Sequence, residues 1–544
     1  MKQTILAAMS SILVLGAALA GCGGADKPAG DANGNGPQSQ NANPQVLKLN
    51  LHSEPPTADP GIAEDSVSGS LIRATFDGLT RTQEDGKAHE SVAEKIEISS
   101  DQRVYTFKLR DAKWSNGDPV TAQDFAYAWK RVLDPKTGSN YAYQLYYIKN
   151  AEAYNKGKAK AEDVGVKALD EKTLQVTLEN PTPYFLELTA FYTYYPVNKK
   201  VVESNPNWAV EAKTHVGNGP FKIAEWEHKN KLVLVKNANY WEKDAVKLDR
   251  IEFSMVEDEN TELSMFDNGE LDWAGAPLSN LPIDAIPALK DSGKMVTQPT
   301  AGVYMYKFNV EQPPFTNAKI RKAFAYAIDR QSIIDNVTQA NQQPATGLVP
   351  PSMALNPDGY FKDNDVETAK KLLAEGMKEL GIAKLPPITL SYNTSENHKK
   401  VAEAIQDQWK KAFGVDVKLE NKEWKVFLED LHQGNFMIGR SGWLADFNDA
   451  VNFLDLFKHK EGSNNDTNWE NPLFQELLNK SALESDPEKR KQLLAQAEKI
   501  FMDEMPAAPI YFYTQSWVKK DNVKGVIIDG LGFIDWKWAT VESN

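Results

Sequence analysis

The sequence predicts an α/β protein with mixed sheets, built as more than one domain. Three observations carry that expectation. The chain has 544 residues, more than one hydrophobic core accommodates, so its body should divide into two or three domains. Short runs of period-two alternation recur along its length, with amphipathic helical patterns between them. In the C-terminal half a strand, a helix and a second strand follow in the order of a βαβ unit, which requires a parallel pair covered by its crossover helix.

The elements follow in order. Val46 to Leu51 alternates, with Leu47, Leu49 and Leu51 on one face, and ends at the turn-rich Ser53-Glu54-Pro55-Pro56. Tyr105, Phe107 and Leu109 alternate with polar neighbours in a second strand, and Asn116-Gly117 supplies a tight turn. A helix should begin near Thr121, where Thr121 and Asp124 have capping-box spacing and Phe125, Ala128, Trp129 and Val132 share a face. Further strands are expected at Leu174 to Leu178 and Leu232 to Lys236. The βαβ unit comprises Ile388 to Tyr392, a helix with Val401, Ile405, Trp409 and Ala412 on one side, and Val415 to Leu419. Helices near Pro472 to Leu483 and Pro487 to Met502 precede a strand at Ile510 to Tyr513.

Composition narrows the class. Aromatic residues at 10% and charged residues at 25% are ordinary for packed protein, so the body is not a disordered chain. A formal net charge of −14 argues against a nucleic-acid partner, which requires a clustered basic face. At the N-terminus, Lys2 precedes an apolar run from Ile5 to Leu19 that is too short to span a bilayer but suits an export signal over residues 1–21. The run closes in Leu19-Ala20-Gly21-Cys22, which resembles a lipobox; in bacterial lipoproteins that cysteine is acylated and becomes the new N-terminus. Cys22 is the only cysteine, so no internal disulfide is available and acylation would consume the one thiol. The alternative is an ordinary export signal with an incidental cysteine. Residues 22–45 lack apolar periodicity and read as a flexible tether. The expected location is therefore the outer face of the cytoplasmic membrane, held there by a lipid anchor, in a bacterium whose envelope has a single membrane.

No catalytic signature emerges. The seven histidines are dispersed, without the spacing of a metal helix or finger, and no nucleophile elbow or phosphate loop is present. Gly34 and Gly36 lie in the tether with no strand before them, which excludes a dinucleotide loop. The protein is expected to be no enzyme, with no catalytic residues, no metal and no cofactor.

Several blocks then carry a specific likeness. The run YTFKLRDAKWSNGDPVTAQDFAYAWKRVLDP at 105–135, GNGPF at 217–221, PPF at 313–315 followed by Asp329-Arg330, YNTSENHKK at 392–400 and RSGWLADFN at 440–448 occur in family order. In these the chain resembles the oligopeptide-binding proteins of peptide ABC importers, family 5 of the extracellular solute-binding proteins. The resemblance implies a two-lobed, three-domain periplasmic-binding-protein-like fold with mixed sheets and hinge closure. It places a discontinuous domain I at 46–76, 200–301 and 514–544, domain II at 77–199 and domain III at 302–513. It also implies short peptides as ligands, ABC transporter permease subunits as partners, and a monomer.

A receptor for peptides in general reads what all of them share, a charged amine, a charged carboxylate and a backbone. By resemblance, the backbone would pair with Glu64 to Val67 on one lobe and Gly442, Trp443 and Leu444 on the other. Asp446 matches the aspartate that binds the peptide α-amino group. Arg440 and His398 match residues that meet the carboxylate, arginine through its planar fork and histidine directly when protonated or through water when neutral. The family's lysine for very short ligands is Thr338 here, which favours longer ones. Tyr141, Tyr304, Trp424 and Trp443 are candidate walls of roomy side-chain pockets; core packing is the competing role for each. Three rivals stand beside this reading: a receptor of the same fold for a signalling peptide, a metal chelate or haem; a surface hydrolase; and an adhesin, which repeats would betray and none are present.

Overall fold

The computed structural model describes residues 44–461 and 464–542. The expected leader, Cys22 and all of the expected tether but its last two residues lie outside the described residues. The first strand, Val46–Asn50, pairs in parallel with Arg250–Ser254, and Lys231–Lys236 and Phe221–Glu227 extend that sheet antiparallel. Leu47 and Leu49 point into the core, as the alternation requires. A second four-stranded sheet is wholly antiparallel, in the order Ala93–Ile98, Val104–Leu109, Thr173–Thr177, Val166–Asp170. Helix Ala122–Leu133 covers it with Phe125, Ala128, Trp129 and Val132, all buried. Its start is fixed as expected, because Asp124 Oδ2 accepts from the Thr121 N–H at 2.9 Å.

The largest sheet holds seven strands. Its path runs Trp273–Gly275, Ala507–Lys519, Val296–Phe308, Ile438–Leu444, Ile388–Asn393, Val417–Lys422, with Gln343–Pro344 attached to Ala507–Lys519. The βαβ unit is present: Ile388–Asn393 and Val417–Lys422 pair in parallel around helix Glu396–Phe413, whose Val401, Ile405 and Trp409 are buried. Its second strand begins two residues later than expected and runs to Lys422, because Val415 and Asp416 stay outside the ladder after Gly414 caps the helix at φ +68°.

The strand expected at Ile510 to Tyr513 is the centre of a 13-residue strand, Ala507–Lys519, paired with the equally long Val296–Phe308. Their register slips between Pro299 and Val303. Gly302 sits in that slip, where a Cβ would stand 2.8 Å from the Trp443 carbonyl oxygen. The divisions expected at 301 and 513 fall inside these two continuous strands.

Candidate ligand-binding site

The site lies where the strand Ile438–Leu444 runs out of the seven-stranded sheet. On one side it pairs with Val296–Phe308 along its whole length, Tyr304 opposite Gly442 and Gly302 opposite Leu444. On the other side only Ile438 and Gly439 pair with Ile388–Asn393. From Arg440 to Leu444 that edge has no strand beside it among the described residues, and it opens on a cavity of about 330 Å3. An unpaired edge is a template for an added strand.

Asp446 follows the strand by two residues and is 6% exposed. Its Oδ2 accepts from Gln144 Nε2 at 2.5 Å and Asn452 Nδ2 at 3.1 Å, and its Oδ1 from the Tyr141 hydroxyl at 3.2 Å. All three donors are neutral, and among the described residues Asp446 has no ion-pair partner. Burial therefore dominates and raises its pKa to about 7. Asn452 also fixes the surroundings, since its Oδ1 accepts from the Asp446 N–H at 3.0 Å and from the Trp443 indole at 2.9 Å.

Arg440 is the counterpart of opposite sign. Its Nη2 donates to the Tyr513 hydroxyl at 2.9 Å, its Nη1 to Asn393 Oδ1 at 3.4 Å, and its Nε is buried without a partner. Among the described residues it too pairs with no opposite charge. The guanidinium lies over the Tyr304 ring, 4.8 Å from its centroid. His398, in the first turn of helix Glu396–Phe413, is 8% exposed. Burial, reinforced by Arg440 and His52, pushes its pKa well below the usual histidine range. That direction favours the water-mediated or acceptor role over the direct cationic one.

Of the ten residues expected in the site, nine line this one cavity: Glu64, Tyr141, His398, Trp424, Arg440, Gly442, Trp443, Leu444 and Asp446. Tyr304 does not. It has no exposed surface and stacks on Tyr511 at 4.7 Å behind Arg440, so it supports the cation and walls no pocket. The stretch Glu64 to Val67 is corrected as well. It is no strand, because Asp65 caps helix Ser66–Thr75 and its Oδ1 takes the N–H groups of Val67 and Ser68, both at 3.0 Å. Thr338 lines the cavity and donates to Gln342 Oε1 at 2.9 Å, with no charge of its own to offer.

Sequence reasoning missed Gln144, Asn452, Tyr513, Lys307, His432 and Asp466. Only His432 had a local signal, since it follows Trp424 by eight residues on helix Trp424–His432 and shares its face. Among the described residues no group of three or more His, Cys, Asp or Glu side chains is arranged to hold a metal ion.

Residues 87–465 match the model of the bacterial extracellular solute-binding proteins, family 5. The chain belongs to that family. It is 56% identical to the oligopeptide-binding protein OppA of Bacillus subtilis (strain 168) over 502 residues, 91% of this chain and 92% of that one. Its structure superposes on the murein tripeptide-binding protein MppA of Escherichia coli with a TM-score of 0.86 at 33% identity, covering 92% of this chain and 99% of that one. Against an unliganded open form of MppA the TM-score is 0.61 at 34% identity, covering 92% and 98%. At equal coverage, the present arrangement is therefore far from that open form. Like the rest of family 5, the protein is a solute-binding protein and not an enzyme. No helix among the described residues is long and apolar enough to cross a membrane.

Proposed function

We propose that this solute-binding protein captures short peptides in extended form and delivers them to the permease of an ABC importer, while Cys22 carries a lipid that keeps it at the membrane. The observation that carries the reading is Asp446: an enclosed carboxylate held by three neutral donors, with no ion-pair partner among the described residues. A peptide ammonium supplies the missing charge. Six residues earlier, on the strand that precedes Asp446, Arg440 offers a cation with an idle Nε to the peptide carboxylate. Six extended residues reach at most about 20 Å, so the two charges suit a chain of a few residues. The open edge from Arg440 to Leu444 pairs with the backbone between them, which gives affinity without reading side chains.

Closure follows from where the donors sit. Tyr141 and Gln144 belong to the segment assigned to domain II, and Asp446 to domain III, so the amine site is complete only when those parts meet. The second of the three expected domains is supported by its sheet, since the antiparallel sheet of Ala93 to Thr177 lies wholly within 77–199. The names of the relatives, an oligopeptide-binding and a tripeptide-binding protein, agree with the ligand class.

The test is calorimetry with a free tripeptide and its N-acetylated form. Asp446→Ala, and acetylation with the wild type, should each weaken binding at least tenfold, because a buried charge robbed of its partner costs about 3 to 5 kcal/mol. Equal affinity for free and blocked peptides would refute the amine anchor.

A further inference from the structure

A second cavity, of about 300 Å3, shares no lining residue with the first. The strand Ala507–Lys519 serves both. Ser516 lines the first, and Trp517, which follows it and points to the opposite face, lines the second. The wall of the second cavity is assembled by strand register. Trp517 pairs with Gly275 on one side and Val296 on the other, and Trp273 pairs with Lys519. This brings the Trp273 and Trp517 rings together, with centroids 5.4 Å apart and planes 11° from parallel. Val523, Val526 and Ile528, from the segment after the strand, complete the apolar lining.

The charged lining has one sign. Lys519 and Lys524 line the cavity beside Gln298, and among the described residues no acidic side chain does. In a chain of net charge −14 that composition departs from the average surface. Lys519 Nζ donates to the Val523 carbonyl at 2.8 Å, and neither lysine has an ion-pair partner among the described residues. Burial and the nearby Lys524 ammonium hold the Lys519 pKa below its usual value, against an opposing pull from Asp521. The two indoles also differ. Trp273 Nε1 donates to the Ala276 carbonyl at 2.9 Å, whereas Trp517 Nε1 is buried with no acceptor among the described residues, in a residue 6% exposed. Buried donors are rarely left unsatisfied, because the loss of hydration is not returned.

We propose that this cavity is a second binding site, selective for a small carboxylate carried on a flat aromatic body. The indole pair and the aliphatic side chains take the ring, while the Trp517 N–H and the two ammonium groups take the carboxylate. A cationic analogue is rejected, because both lysines repel it and no lining carboxylate answers. A volume of about 300 Å3 lies at the lower end for small-molecule sites and suits one ring with a short acid arm. The site stands apart from the peptide reading, since none of its residues lines the first cavity.

The test is an NMR titration of the protein carrying 15N in its indole rings, with phenylacetate as the probe and phenethylamine as its cationic counterpart. Trp517→Phe assigns the Trp517 resonance. Phenylacetate should shift the Trp517 resonance and saturate it in the millimolar range or below, as expected for a ligand of about ten non-hydrogen atoms. Trp424 and Trp443, which line the first cavity, report binding there instead. Phenethylamine should leave Trp517 unmoved. Lys524→Gln, on an exposed residue, should keep the fold and weaken phenylacetate by about threefold or more. A Trp517 resonance that phenylacetate does not shift, equal binding of phenethylamine, or unchanged affinity in Lys524→Gln would each overturn the site. If Trp517→Phe fails to fold, Trp273→Phe assigns the stacked neighbour, and the shift of Trp273 decides in its place.

Discussion

Asp446 makes the chemistry of the site pH-dependent in a defined direction. In the unfolded chain its carboxyl ionises near 3.8, and in the folded, unliganded protein at about 7. Between those values the folded state holds a proton that the unfolded state has lost, so stability falls as pH rises across that window. The shift corresponds to roughly 4 kcal/mol. Asp446→Asn should remove that component: the wild type minus variant difference in urea-unfolding free energy should shrink steadily from about pH 4 to about pH 7 and then level off. Binding should run the other way, since an arriving ammonium needs the carboxylate ionised, and wild-type affinity for a free peptide should rise over the same interval. The motif around Asp446 singles out that residue as the candidate amine anchor. Its pKa could not be read there, because the burial and the neutral donors come from residues 141, 144 and 452.

At the scale of elements, periodicity was a sound guide wherever one face is buried. The helix with Phe125, Ala128, Trp129 and Val132 and the βαβ unit appear as expected, because their apolar stripes have one way to face the core. Local pattern failed where a strand's neighbours decide its fate. Tyr304 is a candidate wall whose competing role is core packing, and its neighbours decide for the core: it is sealed by Tyr511 behind it and Arg440 before it. Likeness alone points Glu64 to Val67 to backbone pairing, whereas Asp65 before Ser66 is a helix-cap signal. Gly442 shows how tightly the binding strand is fitted. A Cβ there would lie 2.3 Å from the Tyr513 hydroxyl, the group that holds Arg440 Nη2. Gly442→Ala should therefore displace Tyr513 and with it Arg440. Peptide affinity should fall about tenfold or more, while the unfolding free energy drops by only about 1 to 3 kcal/mol, as overpacking usually costs. Calorimetric binding and denaturant unfolding of the same variant check both halves.

For the whole molecule, the proposed anchor and the described body make separate claims. Cys22→Ala should release the protein into the medium while leaving peptide affinity unchanged, because the cavity is built from residues 52 to 533. Fractionation of cells expressing the variant reads the first, and calorimetry of the released protein the second. Membrane retention of that variant would contradict the lipobox.

Taken alone, the sequence determined the class of fold, the family and the two charges that define the candidate ligand. Each is written locally, in alternation, in helical stripes or in contiguous blocks such as RSGWLADFN. Only the tertiary structure decided that, among the described residues, Asp446 has no ion-pair partner, that burial pushes the His398 pKa down and that His432 joins Glu64 to Asp466. Those facts depend on partners separated by up to hundreds of residues, and charge states in a cavity are set by every group enclosing it. Short-range pattern carries no information about that enclosure.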